Sequence, residues 1–193
     1  ELSMSQYKIA WLPGDGVGVE VMEGARICLD ALKFDAQYSH GDIGWEFWRT
    51  EGESFPQRTI DLLQASDAAL FGAITSKPAR DAEAELVPAL QGKGLSYRSP
   101  IVRMRQRFDL FTCLRPCKAY PGNPLNYREG IDLVIFRENT EGLYAGVEFS
   151  PVPDELKATL SRLSKPFAHF AEIPGDEFAI TCKVNTQKGC ERI

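Results

Sequence analysis

Lys8-Ile-Ala-Trp-Leu-Pro-Gly-Asp-Gly-Val-Gly18 is the stretch that decides the fold. Lys8 to Leu12 is a short apolar run, and Pro13-Gly-Asp-Gly16 closes it. This pattern predicts a buried strand ending in a tight turn. Val17 to Leu32 follows with apolar residues at Val17, Val21, Ala25, Cys28, Leu29 and Leu32, the spacing of one helix face. A strand, a glycine turn and a helix in that order open a β-α-β unit.

Further along, a second strand is expected over Ala36 to Ser39. Ile43 to Thr50 is rich in aromatics and is expected to open a helix. Phe55-Pro56 introduces another helix, Gln57 to Ala65. Ala68-Ala-Leu-Phe-Gly72 is continuously apolar, like a buried parallel strand. The pattern β-α-β-α-β predicts an open α/β sheet. Ligands of such sheets bind beyond the carboxyl ends of the strands. Gly14 to Gly18 and Thr75 to Lys77 fall there.

Gln91 to Arg98 is a glycine-rich loop, and Pro100 to Phe108 reads as a helix with proline in its first turn. Leu110 to Leu114, Leu133 to Phe136 and Phe178 to Val184 are expected strands, with Tyr120 to Tyr127 as loop. Ser150 to Asp176 has a weak pattern, apart from a helix over Asp154 to Leu163. Thr186 is placed to cap a final helix. There is no internal repeat and no low-complexity tract.

Of 193 residues, 44% are hydrophobic and 25% charged, the balance of a globular protein. No apolar run reaches the roughly 20 residues of a membrane helix. The start, Glu1 to Lys8, lacks a signal-peptide core. Met4 is the expected natural start, with Glu1 to Ser3 a cloning remnant, and the cytoplasm is the expected compartment. The net charge of −5 argues against a nucleic-acid or anionic-membrane partner. The five cysteines show no zinc spacing and read as reduced thiols.

Against the acidic average, five arginines and one acid lie between Arg98 and Arg115 inclusive, which suggests a small anionic ligand. Arg105 ends a short helix, and Arg115 and Arg137 end apolar strands. The planar guanidinium fork donates two hydrogen bonds at once to a carboxylate. Three such residues could clamp a di- or tricarboxylate; singly, each reads more readily as an ordinary surface or ion-pair arginine. Tyr144, near these cations, could act as a general acid or be a packed tyrosine with a satisfied hydroxyl. Gly14-Asp-Gly-Val-Gly18 is not a dinucleotide fingerprint, because Val19 stands where a third glycine is needed. Alone it reads equally as a tight turn.

Four motifs resolve these alternatives. Leu12-Pro-Gly-Asp-Gly-Val-Gly18, Gly72-Ala-Ile-Thr-Ser76, Asp109-Leu-Phe-Thr-Cys-Leu-Arg-Pro116 and Asp132-Leu-Val-Ile-Phe-Arg-Glu-Asn-Thr-Glu-Gly-Leu-Tyr144 resemble, in order, the isocitrate/isopropylmalate dehydrogenase family. The match is dense from Lys8 to Gly146, and the last motif is the most specific. The resemblance implies an open α/β sheet domain followed by the start of a second α/β domain, incomplete at the C-terminus. Residues 1–98 would be the N-terminal part of the large domain. Residues 99–193 would begin the small substrate and dimerisation domain. It implies a metal-dependent enzyme that oxidises a malate-type 2-hydroxy acid with NAD or NADP. Mg2+ or Mn2+ polarises the ketone so that the neighbouring carboxylate leaves as CO2.

Carried over by position, Ser99, Arg105, Arg115 and Arg137 resemble the substrate-carboxylate ligands. Tyr144 resembles the acid that protonates the enol. Val17, Thr75 and Ser76 resemble residues at the nicotinamide end of the dinucleotide. The family's catalytic lysine and metal-binding aspartates come from a later segment, so no metal ligand is expected within these 193 residues. Lys183-Val-Asn185 resembles the family's lysine-x-asparagine, but the helix beginning at Thr186 fits an earlier family helix better. The full-length form is expected to be roughly twice this length, a homodimer, with this chain inactive alone. Arg98 and Ser99 suit a third carboxylate, as in isocitrate or homoisocitrate, whereas Ile101 and Val102 suit the aliphatic group of isopropylmalate. The balance favours isocitrate. The competing class is a non-catalytic regulatory subunit or carboxylate-binding module, which would have no need of Tyr144.

Overall fold

β1 (Tyr7–Gly14) forms where the sequence predicts it, and its Ile9, Ala10 and Leu12 are buried. The computed structural model describes residues 7–193. The chain divides into one unit ending at Met104 and another spanning Arg105–Ile193.

In the first unit β1 is followed by α1 (Val17–Ala31), β2 (Ala36–His40), α2 (Trp45–Glu51), α3 (Gln57–Gln64), β3 (Ala68–Ala73) and α4 (Ala79–Ala84). The three strands form one parallel sheet in the order β2-β1-β3. The β1–α1 turn is tight. Gly14 has φ 77°, and a Cβ there would be driven into the Ala73 carbonyl, so only glycine fits. The core comprises Ile9, Ala10, Leu12, Met22, Ile43, Phe55 and Ile60. A second cluster gathers Trp45, Trp48, Ala82, Leu86 and Tyr97. The aromatic run after Ile43 is therefore core, and Trp48 donates its indole N–H to the Ala82 carbonyl at 2.8 Å.

Two expectations are corrected here. β3, expected to be buried, is the sheet's edge, and Ala68 to Ala73 are half-buried or exposed. Its apolar run is that of a central strand with one neighbour. α4 was not anticipated, being only six residues long.

α5 (Pro100–Arg107) runs across the junction of the two units. The second unit has two antiparallel pairs, β4 (Thr112–Lys118) with β5 (Asp132–Glu138), and β6 (Gly142–Phe149) with β7 (Ile180–Val184). β4 begins later than expected because Leu110 and Phe111 close the end of α5. Asp109 takes φ 47°, and the Leu110 N–H donates to the Arg105 carbonyl at 2.9 Å. The segment 150–176 contains α6 (Asp154–Leu163) and a 3-10 turn (Lys165–Phe170). It is packed by Phe167, Phe170 and Phe178. α7 (Gln187–Glu191) is capped as expected, with the Thr186 hydroxyl accepting from the Gly189 N–H at 2.9 Å. Mixed helices and strands in this arrangement make the α/β fold that the sequence predicts. Among the described residues no helix is long and apolar enough to cross a membrane.

Candidate functional site

In the second unit the antiparallel register sets Cys113 opposite Arg137 and Arg115 opposite Ile135. Side chains alternate along a strand, so Cys113, Arg115 and Arg137 share one face of the β4–β5 ribbon. β6 brings Tyr144 to that cluster. The guanidinium carbons of Arg105 and Arg137 lie 5.6 Å and 5.3 Å from the centre of the Tyr144 ring, within cation–π range. Three of the four residues expected to act on substrate in this unit thus meet directly. Arg115 joins them through Cys113, to whose sulfur its Nε donates at 3.2 Å.

The electrostatics fit an anion site. Arg26, Arg49, Arg58, Arg103 and Arg192 each meet a carboxylate. Among the described residues, Arg105, Arg115 and Arg137 meet none. The Nε of Arg137 is buried without a hydrogen-bond partner among the described residues, and its Nη2 donates to Asn139 Oδ1 at 3.3 Å. A buried donor left unpaired costs about 1–3 kcal/mol, a cost that a bound carboxylate removes. The same field acts on Cys113, which sequence reasoning treated only as a reduced thiol. The hydrogen bond from Arg115, helped by the charges of Arg137 and Arg105, holds its pKa below the ordinary thiol range.

The turn carrying these groups is braced from below. Burial alone would raise the Glu138 carboxyl. Hydrogen bonds from the Thr140 hydroxyl, the Glu141 and Thr140 backbone N–H groups and Arg192 outweigh it and hold its pKa at about 2. Arg192 also donates to Asp109 at 3.0 Å and stacks its charge 4.4 Å over Phe111. Glu141 accepts from the Thr186 N–H at 2.8 Å and hydroxyl at 2.6 Å, tying the start of β6 to the cap of α7. Glu138, Glu141 and Arg192 were not singled out from sequence. A cleft of about 390 Å3 beside this turn is lined by Arg137, Tyr144, Lys183 and Asn185, among others.

In the first unit, Thr75 and Ser76 follow β3 at its carboxyl end, and Val17 opens α1 with 60% of its surface exposed. Gly14 pairs with Ala73 in the sheet, so both turns leave it at one level. Among the described residues the hydroxyls of Thr75 and Ser99 have no hydrogen-bond partner. Ser99 precedes α5, and its carbonyl accepts the Arg103 N–H at 3.1 Å. No three His, Cys, Asp or Glu side chains among the described residues converge to hold a metal ion.

Comparisons with known proteins point one way. A family model described as isocitrate/isopropylmalate dehydrogenase matches residues 8–193. The protein DlpA of Legionella pneumophila is 39% identical over 193 residues, covering 99% of this chain and 30% of that protein. A 3-isopropylmalate dehydrogenase of Methanothermobacter thermautotrophicus is 38% identical over 170 residues, covering 87% of this chain and 46% of that protein. The crystal structure of isocitrate dehydrogenase from Methylococcus capsulatus superimposes with a TM-score of 0.69 at 28% identity. It covers 97% of this chain and 45% of that one. The chain spans less than half the length of these relatives.

Proposed function

Because this chain belongs to the isocitrate/isopropylmalate dehydrogenase family, we propose that the whole protein carries out NAD(P)-dependent oxidative decarboxylation of a malate-type 2-hydroxy acid. The observation that carries this reading is the group of Arg105, Arg115 and Arg137 around Tyr144, with no carboxylate among the described residues paired to these arginines. Isocitrate is the substrate we assign. The Ser99 hydroxyl at the start of α5, without a hydrogen-bond partner among the described residues, suits its third carboxylate, and a helix N-terminus favours negative charge.

In this reading the arginines hold the substrate carboxylates with paired, charge-assisted hydrogen bonds and fix the reacting carbon in one orientation. The dinucleotide supplies the acceptor for the hydride leaving C2. Val17, Thr75 and Ser76 line its nicotinamide end, which the exposed Val17 and unpaired Thr75 hydroxyl suit. Tyr144 then delivers its hydroxyl proton to the carbon that has lost CO2, completing an enol-to-ketone step. A divalent cation (Mg2+ or Mn2+) belongs to the proposal as a cofactor. The described residues offer it no three-ligand site, so no step is assigned to it here. Residues 1–98 are assigned to the large domain and 99–193 to the small one. A homodimer is proposed because β5 exposes consecutive apolar residues on both faces of its two-stranded ribbon.

Tyr144→Phe in the whole protein tests the reading. Turnover should fall about 10²- to 10³-fold, the scale of a lost general acid, while the KM for the hydroxy acid stays within about threefold. A Tyr144→Phe enzyme with unchanged kcat would remove Tyr144 from the chemistry.

A further inference from the structure

We propose that Asp15 is a positioning residue for the dinucleotide, and that with Tyr97 it clamps Thr75 in place at the nicotinamide end. The proposal rests on the assignment of Thr75 to that end of the cofactor.

Asp15 lies in the turn between β1 and α1, yet its side chain serves two other segments. Oδ1 accepts the Thr75 backbone N–H at 2.7 Å, across 60 residues of sequence. Oδ2 accepts the N–H of Trp45, the first residue of α2, at 2.5 Å and across 30 residues. The Asp15 backbone N–H donates to the Ala73 carbonyl at 2.9 Å. One residue thus fixes the loop after β3 at two points and sets it against α2.

The other side of Thr75 is held as well. The Tyr97 hydroxyl donates to the Thr75 carbonyl at 3.4 Å. Its ring is locked edge-on between Trp45 and Trp48, with centroids 4.9 Å and 5.4 Å away. Burial raises the Tyr97 phenol above its ordinary range, with a Ser76 hydrogen bond opposing, so it stays a donor. Both main-chain polar groups of Thr75 are therefore committed within the protein, while its hydroxyl is left to a ligand. This is the arrangement of a group oriented before its ligand arrives.

A carboxylate is needed because each of its oxygens serves a different N–H. An asparagine offers one acceptor and turns an NH2 toward the other donor. A residue that merely caps α2 would affect stability only; a positioning residue also affects how well the dinucleotide is held.

The test uses the whole protein with Asp15→Asn, Tyr97→Phe and, as reference, Thr75→Ala. The readouts are KM for the dinucleotide, KM for the hydroxy acid, the deuterium isotope effect with substrate labelled at C2, and the thermal midpoint. Asp15→Asn should raise the dinucleotide KM about tenfold and enlarge the isotope effect, leaving the hydroxy-acid KM within about twofold. Tyr97→Phe should act in the same sense by about threefold. A lowered midpoint with both KM values and the isotope effect unchanged would make Asp15 structural and overturn the clamp. If Asp15→Asn does not fold, an unchanged dinucleotide KM in Tyr97→Phe overturns it. If Thr75→Ala leaves the dinucleotide KM unchanged, the assignment of Thr75 fails first and the clamp falls with it.

Discussion

Arg115 donates to Cys113 by Nε, while Arg137 keeps a buried Nε without a partner among the described residues. In the proposed role of carboxylate ligand, these positions call for arginine rather than another cation. A lysine has no planar fork and cannot hold two carboxylate oxygens at once. Arg115→Lys should therefore lower kcat/KM by the equivalent of about 2 to 4 kcal/mol, the loss of a charged bidentate contact. Steady-state kinetics on the whole protein measure this, and an unchanged kcat/KM takes Arg115 out of the site. Glu138 leads to a pH prediction. Its folded pKa of about 2 lies below the ordinary carboxyl value of 4.5, so its contribution to stability is complete above the unfolded pKa. That contribution is lost as pH falls from about 4.5 toward 2. Glu138→Gln should flatten the acid dependence in that window, as read by thermal midpoints across pH; an unaltered acid limb would mean the bracing is unimportant.

At the scale of elements, the β-α-β start was legible because β1 and β3 carry continuous apolar runs, Ile9 to Leu12 and Ala68 to Ala73, although β3 is an edge strand and only partly covered. The helix after Gly18 repeats its apolar residues at helical spacing. β6 was not legible. Gly142 and Gly146 both have positive φ, 65° and 70°, and the pairing with β7 shifts register between Gly142 and Val147. A bulged strand with two left-handed glycines looks, in sequence, like a turn. The cluster of Arg105, Arg115, Arg137 and Tyr144 was legible by residue type and, for Arg105 and Arg137, by position near element ends; Arg115, expected to end a strand, lies in the middle of β4 because that strand starts at Thr112 and runs on to Lys118. Its bracing was not, because Glu141 to Thr186 and Arg192 to Asp109 are contacts between distant segments. The same holds for Asp15 and Thr75. Two substitutions probe these elements. Gly14→Ala must place a Cβ against the Ala73 carbonyl at φ 77° and should cost about 2 to 4 kcal/mol by chemical denaturation. A cost below about 1 kcal/mol would show that the turn can relax. Thr186→Ala removes both the α7 cap and the Glu141 contact and should cost about 1 to 2 kcal/mol.

At the scale of the molecule, the exposed apolar surface is the informative feature. Leu133, Val134, Ile135 and Phe136 are 48–57% exposed in succession, on a ribbon of only two strands. A two-stranded ribbon is marginal on its own. Within the first unit, the edge strand β3 and the face of α1 with Val17 and Val21 expose apolar surface of their own. Residues 1–193 prepared alone should bind a hydrophobic dye far more strongly than the whole protein does. Equal dye fluorescence would mean the faces are covered within this chain.

What the arginine cluster is for can be read from substrate turnover by the whole protein. Isocitrate, homoisocitrate and 3-isopropylmalate would each be supplied with Mg2+ or Mn2+ and with NAD or NADP. Reduced nucleotide and released CO2 would be followed together. The account predicts equal amounts of the two, with isocitrate giving the highest kcat/KM. Reduction of neither nucleotide by any of the three acids, in a folded preparation, would contradict it.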